Sequence, residues 1–319
     1  MHLRRAEVPV MKRSIGLVAT LALAGCIGAS QSLPLSAPSS SAPAAAHLGY
    51  TVSEFTYHVM RLRTQAPRAV ADTRILYPAD LTDSGGPIMK TAGAYNLYVN
   101  CPAANESCWG DPEGFQKNLA GSSFAKLLTQ YTQSPASAYT LAGSSAVAYK
   151  TFTGVYFDND LFTILHSAIA GGKLPTGFSH LYHIFLPKGS WTCFDGTRSC
   201  YSPGRNSTFD FCAYHAYVRF SDIGLVVYSV EPYQNVSGCA SKASAGASAL
   251  TNSTASTLGH ETFESITDPG QKFAWFNFTF DEEVADLCET YEWNVTLGGT
   301  KYSIQPMYSN KYHACADGP

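Results

Sequence analysis

FCAYHAYVRFSDIGLVVYSV, residues 211–230, is the stretch whose reading decides the fold class. Phe211 to Phe220 is rich in aromatic and β-branched residues and reads as a strand. Gly224 to Val230 is a nearly continuous apolar run, the pattern of a central strand covered on both faces. Working outward, Tyr95 to Asn100 and His180 to Leu186 read as further strands. Trp275–Phe280 and Lys301–Tyr308 read as strands or irregular segments. Helical spacing appears between them. Phe115, Leu119, Phe124, Leu127, Leu128 and Tyr131 recur mostly three and four residues apart, which predicts a helix over 114–133. Leu161 to Ala170 predicts a second, ended by Gly171 and Gly172. A third runs from about Ala255 to Thr267 and stops ahead of Pro269, which disfavours α geometry at Asp268. Residues 237–253 are rich in Ala, Ser and Gly and read as a loop. Strands and helices mix without strict alternation and without repeats. The expected class is therefore α+β, a mixed β-sheet with packed helices.

The N-terminal segment reads as a targeting signal. Met11-Lys12-Arg13 supplies positive charge, and Ile15 to Ala24 an apolar run of about ten residues, too short to cross a bilayer core of ~30 Å. Residues 1–29 are thus expected to be a signal peptide. Leu23-Ala24-Gly25-Cys26 also has the form of a bacterial lipobox, which would place a lipid on Cys26 and tether the chain at the surface. The alternative is cleavage near Ala29 or Ser30 and free secretion. Ser/Pro/Ala-rich residues 30–46 follow as a linker, and 47–319 are expected to form one disulfide-stabilised globular domain.

Nine cysteines occur in the chain. With Cys26 removed or lipidated, Cys101, Cys108, Cys193, Cys200, Cys212, Cys239, Cys288 and Cys315 remain, an even set that implies disulfides in an exported protein. Local loop closure favours Cys101–Cys108 and Cys193–Cys200, and Cys212–Cys239 with Cys288–Cys315 is the simplest remainder. No Cys-x-x-Cys pair exists, which argues against a zinc ribbon. Six of the eleven Asn, at 105, 206, 235, 252, 277 and 294, lie in Asn-x-Ser/Thr sequons, so a glycoprotein is also considered.

Charge narrows the partners. Lys and Arg total 21 against 24 acids, for a formal net charge of −3. That balance offers no phosphate-neutralising surface, and nucleic acid is not an expected partner. A peptide or a cell-wall component is, and a membrane only through a lipid on Cys26. The chain holds no Gly-x-Ser-x-Gly elbow and no Gly-rich phosphate loop ahead of a helix.

The chemically pointed segment is Gly259 to Pro269. On a helix, His260 and Glu264 project from one face, and Glu261 lies beside His260. This is the layout of the zincin helix, with two ligands four residues apart and a Glu positioned to take a proton from metal-bound water. Here Glu264 stands where the second His would be. Asp268 continues the stripe if the helix extends that far. Glu283 and Asp286 are the expected completing ligands, with His215 as the other candidate. A one-His, carboxylate-rich set suits a divalent metal, zinc first, with manganese, iron or calcium also compatible. His180 and His183, three apart on a strand, point to opposite faces and read as surface or hydrogen-bonded core residues.

Several short motifs occur in a fixed order. They are Gly85-Gly-Pro-Ile-Met89, Phe211-Cys-Ala-Tyr-His215, Gly259-His-Glu through Asp268-Pro269 with Trp275 downstream, Glu283-Val-Ala-Asp-Leu-Cys288, and Tyr302-Ser-Ile-Gln-Pro-Met-Tyr-Ser-Asn310 ahead of Cys315. In order and spacing the set resembles the plant EXORDIUM, or phosphate-induced, family and its bacterial relatives, over residues 84 to 315. The resemblance implies an extracellular or cell-wall protein connected with growth and cell expansion, and brings no settled catalytic activity. The family pattern repeats the acids and imidazole matched here by His260, Glu261, Glu264, Glu283 and Asp286. Plant members often carry Asn-Pro where this chain has Asp268-Pro269, which weakens Asp268 as a required ligand. Two functions are therefore expected in competition. One is a secreted metallohydrolase, peptidase-like, with Glu261 as general base. The other is a non-catalytic wall protein with a structural metal or a buried polar network.

Overall fold

Six strands form one sheet in the order Val52–Arg61, Phe211–Phe220, Gly224–Glu231, His180–Phe185, Thr91–Val99, Ala138–Val147. The first two pairings are antiparallel and the remaining three parallel. The apolar run at 224–231 sits inside the sheet with a neighbour on each side, as its composition requires. This computed structural model describes residues 49–63, 79–101, 106–134, 138–149, 154–194, 198–242, 246–270 and 272–319. The signal segment, Cys26, the 30–46 linker and Asn105 lie outside the described residues. The class is α+β with a mixed sheet.

Alternation along the strands builds two different faces. Tyr182, Ile184, Tyr214, Val218, Val226 and Tyr228 face one way and pack with Leu161, Phe162, Leu165 and Ile169 of the helix Asp158–Gly172. Leu181, Phe185 and Val227 face the other way, toward Phe115, Leu119, Phe124, Leu258 and Phe263. On this second face, buried polar residues replace much of the expected apolar set: His58, Asn96, His183, His215, Ser229 and Glu231.

The element covering that polar face is the helix Ala249–Thr267, buried along nearly its whole length although it is rich in Ser and Thr. It begins six residues earlier than the apolar spacing predicts. Ser248 caps it, its side chain accepting from Thr251 N at 3.0 Å. Within it, the Ser253 and Thr267 hydroxyls donate back to the carbonyls of Ala249 and Phe263, 2.7 and 3.0 Å away. A turn-like composition at 249–253 therefore folds as helix, because the hydroxyls are satisfied inside it. Its C-terminal end falls at Thr267, as Pro269 dictates.

The single helix expected over 114–133 is instead three short ones, Pro112–Leu119, Ser123–Lys126 and Thr129–Thr132. The chain turns at Gly121, where φ is +71°. Only Trp275–Phe276 of the stretch 275–280 is strand. The C-terminal stretch forms two strands, Thr300–Ile304 and Met307–Ser309.

Four disulfides join Cys101–Cys108, Cys193–Cys200, Cys212–Cys239 and Cys288–Cys315. Such a set belongs to an oxidising compartment. No described helix is long and apolar enough to cross a membrane. Of the described sequons, Asn206, Asn235 and Asn294 are exposed, whereas Asn252 and Asn277 are buried and closed to a glycan in the folded chain.

Candidate metal centre

Three elements meet over the polar face. The helix Ala249–Thr267 brings His260, Glu261 and Glu264. The sheet brings His215 and, one strand outward, His58. These two are direct cross-strand partners with rings stacked 4.9 Å apart. The segment after the helix brings Glu283 and Asp286, the latter opening a short 3-10 turn, Asp286–Cys288. Leu287 N donates to Glu283 O at 3.3 Å, so the two acids do share one turn. Glu264 fixes that turn, because its Oε1 accepts the backbone N–H groups of Ala285 and Asp286 at 3.2 and 3.1 Å.

Hydrogen bonds decide which ring nitrogen of His260 is bare. Gln305 Nε2 donates to Ala285 O at 2.6 Å, so its Oε1 is the atom turned to His260 Nδ1, 3.2 Å away. An amide oxygen only accepts, which places the imidazole proton on Nδ1 and a lone pair on Nε2. That lone pair faces Glu264 Oε2 at 3.0 Å and Asp286 Oδ1 at 3.5 Å. All three atoms are buried without a hydrogen-bond partner.

The same logic applies to His215. Its Nε2 lies 3.0 Å from Asp268 O, a backbone carbonyl that can only accept. The lone pair therefore falls on Nδ1, 3.3 Å from Glu261 Oε2 and 3.6 Å from Glu264 Oε2. A third grouping lies behind it, with His58 Nδ1 2.9 Å from Glu283 Oε2, and Glu283 Oε1 3.7 Å from His215 Nε2. Each of the sets His260/Glu264/Asp286, His215/Glu261/Glu264 and His58/His215/Glu283 has ligand atoms within 4.8 Å of one another. Two ligands on one ion at ~2.1 Å in tetrahedral geometry stand about 3.4 Å apart, the spacing seen here. The first two sets present bare ligand atoms and can hold a metal ion, whereas in the third the His215 Nε2 proton is turned to the Asp268 carbonyl.

Burial governs the electrostatics. None of His58, His215, His260, Glu261, Glu264, Asp268, Glu283 or Asp286 is more than 4 % exposed. Desolvation lowers His260 to about 4 and drives His215 well below the usual imidazole range, the latter helped by His58. It raises Asp286 to about 6 and Glu264 to about 8. Glu261 and Glu283 rise well above the ordinary carboxylate range, with the Glu264 charge adding to desolvation in both. Without a cation the groups favour neutral forms, and a divalent ion would take the place of their protons.

The sequence-derived residues are thus brought together in part. His260, Glu264 and Asp286 form one set, while Glu283 lies with His58 and His215. Glu261 lies with His215 and Glu264. Asp268 is the C-cap of the helix and meets His215 through its carbonyl instead of extending the stripe. Two members were not read from the sequence. His58 alternates on its strand like any core residue, and Gln305 stood out only as part of a longer motif. Among the remaining histidines, His183 is a hydrogen-bonded core residue. Ser229 Oγ donates to Glu231 Oε1 at 2.7 Å, so His183 Nδ1 donates to Ser229 Oγ, also 2.7 Å away. With Ser229 between His183 and Glu231, this is not a nucleophile–base–acid triad. Comparison of the chain with protein-family models, with curated proteins and with solved structures finds no match.

Proposed function

We propose that this chain is an exported, EXORDIUM-like metalloprotein in which a divalent ion, zinc first, ties the helix Ala249–Thr267 to the 283–288 turn. The observation that carries the reading is the bare Nε2 of His260 facing Glu264 Oε2 and Asp286 Oδ1 with no N–H donor turned toward the three. Three acceptors aimed at one point are unfavourable unless a carboxyl proton or a cation lies between them, and a proton joins only two of the three where a divalent ion joins all. The set offers three protein ligands, which leaves a fourth position open as in catalytic sites, but all three are at most 4 % exposed, and that burial favours a structural ion. The ion is therefore assigned a holding role in a non-catalytic wall or matrix protein. The four disulfides and the apolar N-terminal segment support an extracytoplasmic location.

Element analysis of purified protein, before and after exhaustive chelation, tests this. Bound metal at stoichiometric level is expected. At an ion concentration 100 times the dissociation constant, binding adds about 2.7 kcal/mol. Chelation should then lower Tm by roughly 5–10 °C. Protein that carries no metal and whose Tm ignores both chelator and added zinc would overturn the proposal.

One observation favours the hydrolase reading as a second. Glu261 Oε1 is buried beside the centre without a hydrogen-bond partner, where a general base would stand. Under that reading, Glu261→Gln abolishes cleavage of a mixed peptide library while the ion at His260, Glu264 and Asp286 stays bound. Under the structural reading neither form cleaves.

A further inference from the structure

We infer that the centre holds two cations sharing Glu264 rather than one; this rests on the metal reading above. Two imidazole lone pairs converge on the same carboxylate oxygen. His260 Nε2 reaches Glu264 Oε2 at 3.0 Å and His215 Nδ1 reaches it at 3.6 Å. Each ring is held from behind by an acceptor, Gln305 Oε1 for His260 and the Asp268 carbonyl for His215. Metal-ligating histidines are oriented in this way, with the other ring N–H donated to a carbonyl-type oxygen.

The two lone pairs do not serve one ion. Ligand atoms around a single ion at ~2.1 Å are at most about 4.2 Å apart, even when they lie opposite each other. The five groups His215, Glu261, Glu264, His260 and Asp286 do not form one set within 4.8 Å. They form two, joined at Glu264. Each set offers one imidazole, one carboxylate of its own (Asp286 or Glu261) and the shared Glu264. Ions sharing a bridging carboxylate typically sit about 3.5–4 Å apart.

Charge supports the same count. Glu261, Glu264, Glu283 and Asp286 are buried around these positions. The nearby guanidiniums are engaged with other acids, Arg61 with Glu282 at 3.5 Å and Arg63 with Glu292 at 3.3 Å. One divalent ion leaves the three carboxylates of the two sets, Glu261, Glu264 and Asp286, one negative charge in excess; two leave one positive charge, which a further buried acid can offset. Glu283, facing His58 at 2.9 Å and His215 Nε2 at 3.7 Å, then lies outside the pair as the nearest remaining anion.

The test is a count of ions. Stripped full-length protein is titrated with manganese and, separately, with zinc, and ions per chain are read by native mass spectrometry. Electron paramagnetic resonance of the manganese form reports whether neighbouring ions are magnetically coupled. Two ions per chain with a coupled spectrum are expected. His215→Gln and Glu261→Gln should each leave one ion with an uncoupled spectrum; having both guards against a variant that fails to fold. Saturation of wild type at one ion per chain would overturn the two-ion inference and leave the single-ion reading standing. Binding of none would overturn both.

Discussion

Gly270 carries the chain directly across the ring of His58. Its φ is +88°, and a Cβ built there would stand 3.3 Å from His58 Nε2 and 2.9 Å from Thr56 Cγ2. Both the backbone conformation and the space favour glycine, so the close approach is written into the residue type. Gly270→Ala should destabilise the protein by about 1–3 kcal/mol, measured by urea denaturation. It should also displace His58 from Glu283. A variant as stable as wild type would show that the crossing relaxes freely.

Gln305 acts on the centre from behind its ligands, its Oε1 fixing the His260 tautomer and its Nε2 holding the Ala285 carbonyl of the 283–288 turn. Replacing it with Met keeps the volume but removes the acceptor that holds the proton on Nδ1. Outer-shell changes of this kind cost about 10- to 100-fold in metal affinity. Gln305→Met should therefore weaken zinc binding by that factor while near-ultraviolet circular dichroism stays native. An unchanged dissociation constant would mean that Gln305 does not set the tautomer.

Much of this was legible in the sequence, and the failures have physical causes. The apolar run at 224–230 and the aromatic-rich stretch at 211–220 needed only local pattern to be read as sheet. Cys101–Cys108 and Cys193–Cys200 needed only short loops. The helix bearing His260 was readable from Ala255 onward, but Ala249 to Ser253 was not. Its start depends on hydroxyls bonding backwards, and in composition those hydroxyls resemble a loop. The expected helix over 114–133 has the right spacing throughout, yet Gly121 breaks it. His58 was out of reach for a different reason. It stands about 200 residues before His260, and only strand pairing with His215 brings it to the centre. Gly86, within the Gly85–Met89 motif, was visible but unexplained. A Cβ there would stand 2.0 Å from the Lys272 carbonyl oxygen, a contact that no local pattern encodes.

The His183–Ser229–Glu231 chain gives a second pH signature, close enough to the centre that the Glu231 charge helps raise Glu261. Burial raises Glu231 to about 8 and lowers His183 to about 3. Between about pH 4.5 and 8 the native Glu231 keeps a proton that the unfolded chain releases, so its contribution is lost as pH rises. His183 acts in the opposite sense, with stability lost as pH falls below about 6.5. From pH 6.5 to 8, Glu231 alone of the pair titrates, and it should remove on the order of 2 kcal/mol. Glu231→Gln keeps the acceptor for Ser229 and cannot ionise. Denaturation curves of the two proteins should therefore diverge toward pH 8, with the variant falling less. Parallel curves would mean that Glu231 ionises normally.

Arg63 links three parts of the fold through one buried guanidinium. Its Nε donates to Cys239 O at 2.9 Å and one terminal nitrogen donates to Ser256 Oγ at 2.8 Å, while the other faces Glu292 at 3.3 Å. These contacts join the loop closed by Cys212–Cys239, the long helix and the segment ahead of strand Trp293–Leu297. Arg63→Met removes the counter-charge from Glu292 and the donors to Cys239 O and Ser256 Oγ, and breaking a buried pair in this way costs about 3–5 kcal/mol. Arg63→Lys restores the charge but not the three-way fork. It should recover only part of the loss, so the urea midpoints should fall in the order wild type, Lys, Met. Equal midpoints for Lys and wild type would show that charge alone suffices and that the directed hydrogen bonds contribute little.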